Sequence, residues 1–357
     1  MPVHMLTHVT RLLIRVLSTI LTLSVILPIC ALAQQNNPDA PTGLIPINIG
    51  YPQTNYWPLF LARDLKLFEQ VGLAPNFAPF TTGAPLIAGM NSGNVDIAWT
   101  GLATLFMLGK AIPLKYVLVT MDHSSQMSMV VNPRSGIRSY RDIKKSIAIG
   151  APSGTCAEVS VVLAAKRAQI PISTLKVSNL APNLLLGAMQ NNQIDTAFIW
   201  GPWDLQLREA GFKIASTDSD YVQGGGPCGV TVAIRPKFLE QHPSVGCKMV
   251  KVHALALEAA RKDPEMVIRM LQKELRLSHD LARESYATLV IPSIKSQLDP
   301  ASPWSLTNEN GGLSKKLMIA STALYEAKSF SQPLTKETVW HSIDASYIKQ
   351  YLESDCK

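Results

Sequence analysis

Residues 175–200 read LKVSNLAPNLLLGAMQNNQIDTAFIW. The first six residues, 175–180, form a short strand pattern that stops at Ala181-Pro182. Leu184, Leu185, Ala188 and Met189 then recur on one helical face, and Asn191-Asn192 ends the pattern over 183–192. Residues 194–200, IDTAFIW, are rich in β-branched and aromatic side chains and read as a buried strand. A strand, a helix and a strand joined this tightly make a crossover unit, whose strands run parallel.

The same alternation extends both ways. Upstream, SIAIGAP (146–152) is a strand and 155–168 a helix, opened by the turn formers Pro152, Ser153 and Gly154 with Thr155 as a cap. MSMVVN (127–132) is a strand and SYRDIKK (139–145) a short helix. Downstream come a helix in GPWDLQLREAGF and strands in KIAST and GVTVAIR (229–235). Towards the N-terminus the order is strand 44–51, helix 56–73, strand 75–80, helix, strand Val95–Trp99, helix and strand 114–121. Residues 237–357 are largely helical in pattern. The class is α/β with mainly parallel sheets.

The first 33 residues stand apart. Arg11 and Arg15 precede an apolar run from Val16 to Ile29, followed by Ala31-Leu32-Ala33, and no acidic residue occurs. This is the pattern of a cleavable secretory signal, and the run is short for a bilayer span. Lipidation at Cys30 ranks second, because Ile29 stands where a small residue is required. Residues 34–43 form a polar leader.

With 33 Lys and Arg against 26 Asp and Glu, the chain carries a formal charge of +7, which suits an anionic ligand or surface. No basic run with interleaved aromatics indicates nucleic acid. Cys156, Cys228, Cys247 and Cys356 lack zinc-ribbon or CxxC spacing. In an oxidising compartment they can pair. The histidines and acids show no metal-binding spacing, and no phosphate loop or nucleophile elbow is present, so neither metal nor cofactor is expected.

Several ordered motifs over residues 46–245 together resemble one family. These are YWPLFLARDLKLFEQVGL, TTGAPLIAGMNSGNVDIAWTGLA, DIKKSIAIGAPSGTCAEVSVVLAAKRAQI and NLAPNLLLGAMQNNQIDTAFIWGP. They resemble the periplasmic solute-binding proteins of ABC importers, in the taurine, aliphatic-sulfonate and nitrate-binding group. The resemblance implies a two-lobed type II periplasmic-binding-protein fold: 44–128 plus 235–357 in lobe one, 129–234 in lobe two, with crossovers near Val130–Asn132 and Ala233–Pro236. It implies a small anionic ligand between the lobes, partner permease and ATPase subunits, a monomer, and no chemistry on the ligand. The alternative is the thiamine-pyrimidine branch on the same fold, an enzyme or precursor binder. The cysteine-rich run of its synthase is absent here.

An anion of weak basicity can be held by backbone N–H groups and hydroxyls at helix starts. The strand-to-helix turns offer Gln53, Tyr56, Thr81, Thr82, Thr100, Ser153, Gly154 and Thr155, and Trp200 can wall the cleft. Each hydroxyl can equally serve as a plain helix cap. Trp57 and Trp99 read as core. In the taurine-binding branch a carboxylate precedes the strand equivalent to VTVAIR and pairs with the ligand's ammonium, whereas Cys228, Gly229 and Val230 stand there in this chain. Asp122, Asp204 and Asp218 are the candidates to substitute. Cys156 and Cys228 fall on ligand-side loops and are bonded to each other, paired as pocket walls, or simply two small buried residues in reduced form.

The N-terminal mass of the exported chain checks the leader. Cleavage after Ala33 leaves Gln34 first, and a mature protein still starting at Met1 contradicts it.

Overall fold

A computed structural model describes residues 43–357 apart from Gln53, Thr82 and Gly224. The expected signal segment and Cys30 lie outside the described residues. Ten strands are described: β1 Ile45–Pro52, β2 Leu73–Phe80, β3 Ile97–Thr100, β4 Lys115–Asp122, β5 Met127–Val131, β6 Ala148–Ala151, β7 Lys176–Asn179, β8 Thr196–Trp200, β9 Lys213–Thr217 and β10 Gly229–Ile234. They form two five-stranded sheets, ordered β2-β1-β3-β10-β4 and β7-β6-β8-β5-β9. The architecture is α/β and two-lobed.

Both sheets follow one plan. β1 pairs in parallel with β2 and β3, and β6 with β7 and β8. These strands are joined by helices such as Gly83–Ser92 and Pro182–Gln190, as parallel neighbours require. The fourth strand of each sheet runs antiparallel to both its neighbours. Each sheet is therefore mixed, with four strands running one way and one reversed strand among them. The reason is connectivity: β5 follows β4 directly and enters the second sheet, while β10 follows β9 and returns to the first.

The expected second crossover moves accordingly. Residues 229–234 pair with β3 and β4, so the chain returns to the first sheet between Thr217 and Gly229, before Ala233–Pro236. Met127 and Ser128 already belong to the second sheet. The helix expected at 139–145 reduces to one turn, Tyr140–Asp142, closed by a Ser139–Asp142 capping box. Tyr140 and Ile143 are buried, and the backbone is already extended at Ile143.

An aspartate sets the strand register in each lobe. Asp96 accepts from the Asn48 amide at 3.0 Å while its own amide donates to the Asn48 carbonyl at 2.9 Å. Asp195 does the same with Ala148, at 2.8 Å in both directions. The two lobes thus repeat a device visible as GNVDIA and NQIDTA. Gly50 and Gly150 occupy matching places in β1 and β6; an added Cβ would strike Leu86 and Val95 in one case, Leu185 and Ile194 in the other.

Two apolar clusters form the core, the smaller lying under β8 around Val130, Leu185, Met189, Ile199 and Phe212. Among the described residues no helix is long and apolar enough to cross a membrane.

At Gly229 a Cβ would run into the buried Trp304 ring. A rigid ring cannot yield as a flexible side chain does, so Gly229→Ala should lose about 1–3 kcal/mol of stability. Urea unfolding measures this, and an unchanged midpoint refutes the contact.

Candidate functional site

The carboxyl ends of the parallel strands in the two sheets approach one another. Thr54, after β1, donates to the Gly201 carbonyl after β8 at 2.7 Å. The Phe106 ring, after β3, sits 3.2 Å from where a Gly154 Cβ would stand, and Cys156 Sγ lies 3.5 Å from the corresponding point on Gly101. The loops after β1, β3, β6 and β8 therefore meet.

Tyr56 and Thr100 come together among these loops. Both are buried, and the Tyr56 hydroxyl lies beside the Thr100 hydroxyl and the Gly101 backbone. Burial pushes the Tyr56 phenol up to about 12, so it stays neutral. The neighbouring Asn55 amide donates to Ser285 Oγ at 2.8 Å and ties the loop to the C-terminal helices.

The turn 153–155 is arranged differently. Thr155 is the helix cap, accepting from the Ala157 amide at 3.1 Å and donating to the Pro152 carbonyl at 2.7 Å. The Ser153 amide donates to Asn179 Oδ1 at 3.0 Å, and the Gly154 amide to Glu158 Oε2 at 2.8 Å. That same carboxylate oxygen accepts from the Ser329 hydroxyl at 2.7 Å. Glu158, in the first turn of helix Cys156–Arg167, thus places its own negative charge at the helix start, where the dipole favours it. The Ser153 and Gly154 amides expected to face a ligand are engaged inside the fold.

Of the other expected residues, Thr81 is exposed at the end of β2, and Gln53 and Thr82 lie outside the described residues. Trp200 is half-buried and packs against both core clusters. Trp57 and Trp99 are core, as expected.

Cys156 and Cys228 are disulfide-bonded, with Cα atoms 5.8 Å apart, and Cys247 pairs with Cys356 at 5.6 Å. Cys228, expected in the second lobe, stands in the frame of the first sheet. It directly precedes β10, and its carbonyl accepts from the His123 amide at 3.0 Å, so it extends the ladder of the first sheet.

Asp122 and Asp204 are satisfied by the protein itself, whereas the buried Asp218 Oδ2 has no hydrogen-bond partner among the described residues. Asp122 accepts from the Ser124 amide at 2.9 Å and from Trp304 Nε1 at 2.8 Å. Asp204 accepts from the Ser128 hydroxyl and the Leu205 amide, both at 2.7 Å, and burial pushes it up to about 6. Asp218 is fully buried, accepts from the Tyr221 hydroxyl at 2.6 Å, and is pushed by burial up to about 7. Lys316 donates to the Gly225 and Gly226 carbonyls at 3.1 and 2.9 Å over the Trp304 ring; burial lowers its pKa. Among the described residues no group of His, Cys, Asp and Glu is arranged for a metal.

Two residues lie on the passage from β4 to β5: His123, which in the sequence follows strand 114–121 as a ligand contact or a plain turn, and Gln126, which carries no sequence signal of its own. His123 lies beside Tyr56, with ring centroids 6.2 Å apart, and burial lowers its pKa to about 4. Gln126 donates to the Ser285 carbonyl and to Thr288 Oγ1, both at 2.8 Å. His123 Nε2 and Gln126 Oε1 are buried without a protein hydrogen-bond partner. Only its place at a chain passage signals Gln126. Two surface depressions lie elsewhere: one of about 250 Å³ between helices 156–167 and 312–326, one of about 340 Å³ beside Asn132 and Arg134.

A profile of the NMT1-like family matches residues 43–269. The taurine-binding periplasmic protein of Escherichia coli is 28% identical over 203 residues, covering 56% of this chain and 61% of that protein. The periplasmic aliphatic sulphonate binding protein SsuA of E. coli superposes with a TM-score of 0.69 at 18% identity, over 82% of this chain and 91% of that one. The alkanesulfonate-binding protein SsuA of Xanthomonas axonopodis pv. citri, solved with MOPS bound, gives 0.69 at 17% identity, over 85% and 99%.

The buried His123 makes stability depend on pH. Its pKa is about 4 folded against 6.5 ordinarily, so between these values the unfolded chain takes up a proton that the folded one refuses. Stability from this group is therefore lost as pH falls from 6.5 to 4. Asp218, with about 7 folded against 3.8, acts oppositely and gains stability over the same acidification. His123→Gln should reduce the acid-side loss by on the order of 3 kcal/mol, read from urea midpoints at pH 7 and 4. An unchanged difference between the two pH values contradicts this.

Proposed function

The chain belongs to the NMT1-like family, and on that premise we propose that it is the extracytoplasmic solute-binding component of an ABC importer for a small sulfonate-like anion. It binds its ligand between the strand ends of the two lobes and does no chemistry on it. The observation that carries this reading is the meeting of Tyr56, Thr100 and Gly101 opposite the start of helix Cys156–Arg167. These are uncharged polar groups in a buried setting. A sulfonate is a weak base and is held well by such groups without a full counter-charge. The names of the taurine- and sulfonate-binding relatives support the same ligand class.

The charge arrangement narrows the class. Asp122 and Asp204 are committed to donors of the protein, and Asp218, which keeps one unpartnered oxygen among the described residues, is fully buried and pushed by burial towards its neutral form. An ammonium enclosed here would lack a carboxylate partner, which is costly. The ligand is therefore an anion without an amine, such as an alkanesulfonate, rather than taurine. The leader directs the chain to the periplasm, where a permease and its ATPase take over the solute.

Thermal unfolding with ethanesulfonate, taurine, sulfate, nitrate, benzoate, a thiamine-pyrimidine precursor and uncharged ethyl methyl sulfone tests this. At roughly 100 times its Kd a ligand adds about 2.7 kcal/mol to stability. Ethanesulfonate should raise the melting temperature more than taurine, and Thr100→Val or Tyr56→Phe should cut the rise. A shift from the sulfone or the pyrimidine with none from any anion overturns the proposal.

A further inference from the structure

We propose that the Cys156–Cys228 disulfide is a covalent tie between the two lobes, and that it limits how far they separate until a dithiol reduces it. Cys156 opens the helix Cys156–Arg167 that follows β6 of the second sheet. Cys228 belongs to the first sheet's frame: it abuts β10, and its carbonyl takes the His123 amide at the end of β4. The bond therefore joins the two sheets at the strand ends where their loops meet.

The other contacts that span this region are non-covalent. They include the Thr54–Gly201 hydrogen bond, the Phe106 ring on Gly154, and the ion pairs Arg208–Glu284 and Lys166–Glu326 towards the C-terminal helices. Both ion pairs are partly exposed, and such pairs are weak. Non-covalent ties of this kind open and close on the timescale of domain motion, whereas a disulfide does not. The second disulfide makes no such span. Cys247 and Cys356 pin the chain end to helix Val245–Lys262, against which helix Ser346–Ser354 already packs.

Reduction has a defined course. Cys156 is half-buried and Cys228 fully buried, so a dithiol's thiolate attacks the Cys156 sulfur and displaces the Cys228 thiolate. The reductant's second thiol then releases Cys156 and closes its own disulfide. Two electrons and two protons pass to the cysteine pair.

The consequence for ligand exchange rests on the binding function proposed above; the tie itself does not. The test therefore needs no ligand. The full exported chain is compared in four forms: oxidised, treated with dithiothreitol, Cys156→Ser/Cys228→Ser, and Cys247→Ser/Cys356→Ser kept oxidised. X-ray scattering reads the radius of gyration, and hydrogen exchange reads the peptides 101–104 and 153–157. The reduced protein and the first serine pair should share a larger radius and roughly tenfold faster exchange in those peptides, with β10 still protected. The second serine pair should match the oxidised protein.

If the first serine pair does not fold, reduction and reoxidation of the wild type supply the same readout. Identical radius and exchange with and without the bond overturn the proposal. So does faster exchange throughout the core, which would make the bond a general support of the fold. Ethanesulfonate release, followed by stopped flow, should speed up on reduction. Failure of ethanesulfonate to bind at all counts against the binding function and leaves the scattering and exchange results to decide the tie.

Discussion

A strand that belongs to one lobe by pairing and reaches it from the other organises this protein. β10 lies between β3 and β4, antiparallel to both, and arrives from β9 of the second sheet. β5 does the reverse, lying between β8 and β9 after leaving β4. Every residue of β10 is buried, so its place is held by ladder bonds on both edges and apolar contact on both faces. Two chain passages between the sheets follow from this exchange. They are also why Asp122, His123, Gln126 and Cys228 are found where the lobes meet.

Within each lobe the parallel part is set by the same short-range device. The Asp96 and Asp195 carboxylates each accept the amide of a residue on the strand alongside, in an otherwise identical two-bond exchange. A one-residue slip would leave a carboxylate and an amide without partners and turn the buried strand faces outward. Glycines at 50 and 150 then let the crossover helices close onto the sheet. The strand ends are thereby presented at fixed heights, and the proposed site is built on them.

The site residues read differently from sequence and from structure. Tyr56 and Thr100 stand out as polar groups at strand-to-helix transitions, and they do meet. Ser153, Gly154 and Thr155 show the same local pattern, yet Asn179, Glu158 and Pro152 take up their hydrogen bonds. The helix-start pattern is identical in the two cases, because a capping hydroxyl and a ligand-binding hydroxyl obey the same local chemistry. What separates them is the neighbour, and Ser329, which steadies Glu158, lies far along the chain. His123 and Gln126 carry no periodic signal, since a residue on a passage between sheets belongs to neither pattern.

The amino-acid sequence by itself determined the α/β class, the order of crossover units and the capped helix start at Thr155. All of these rest on apolar periodicity and turn chemistry acting over a few residues. It also pointed to Cys156 and Cys228 as neighbours. Only the tertiary structure decided that β10 pairs with β3 and β4, that the Cys156–Cys228 bond therefore joins two lobes, and that Glu158 fills the turn beside it. Those outcomes depend on which strand lies next to which. Pairing between strands distant in the chain leaves no mark on the local pattern of either.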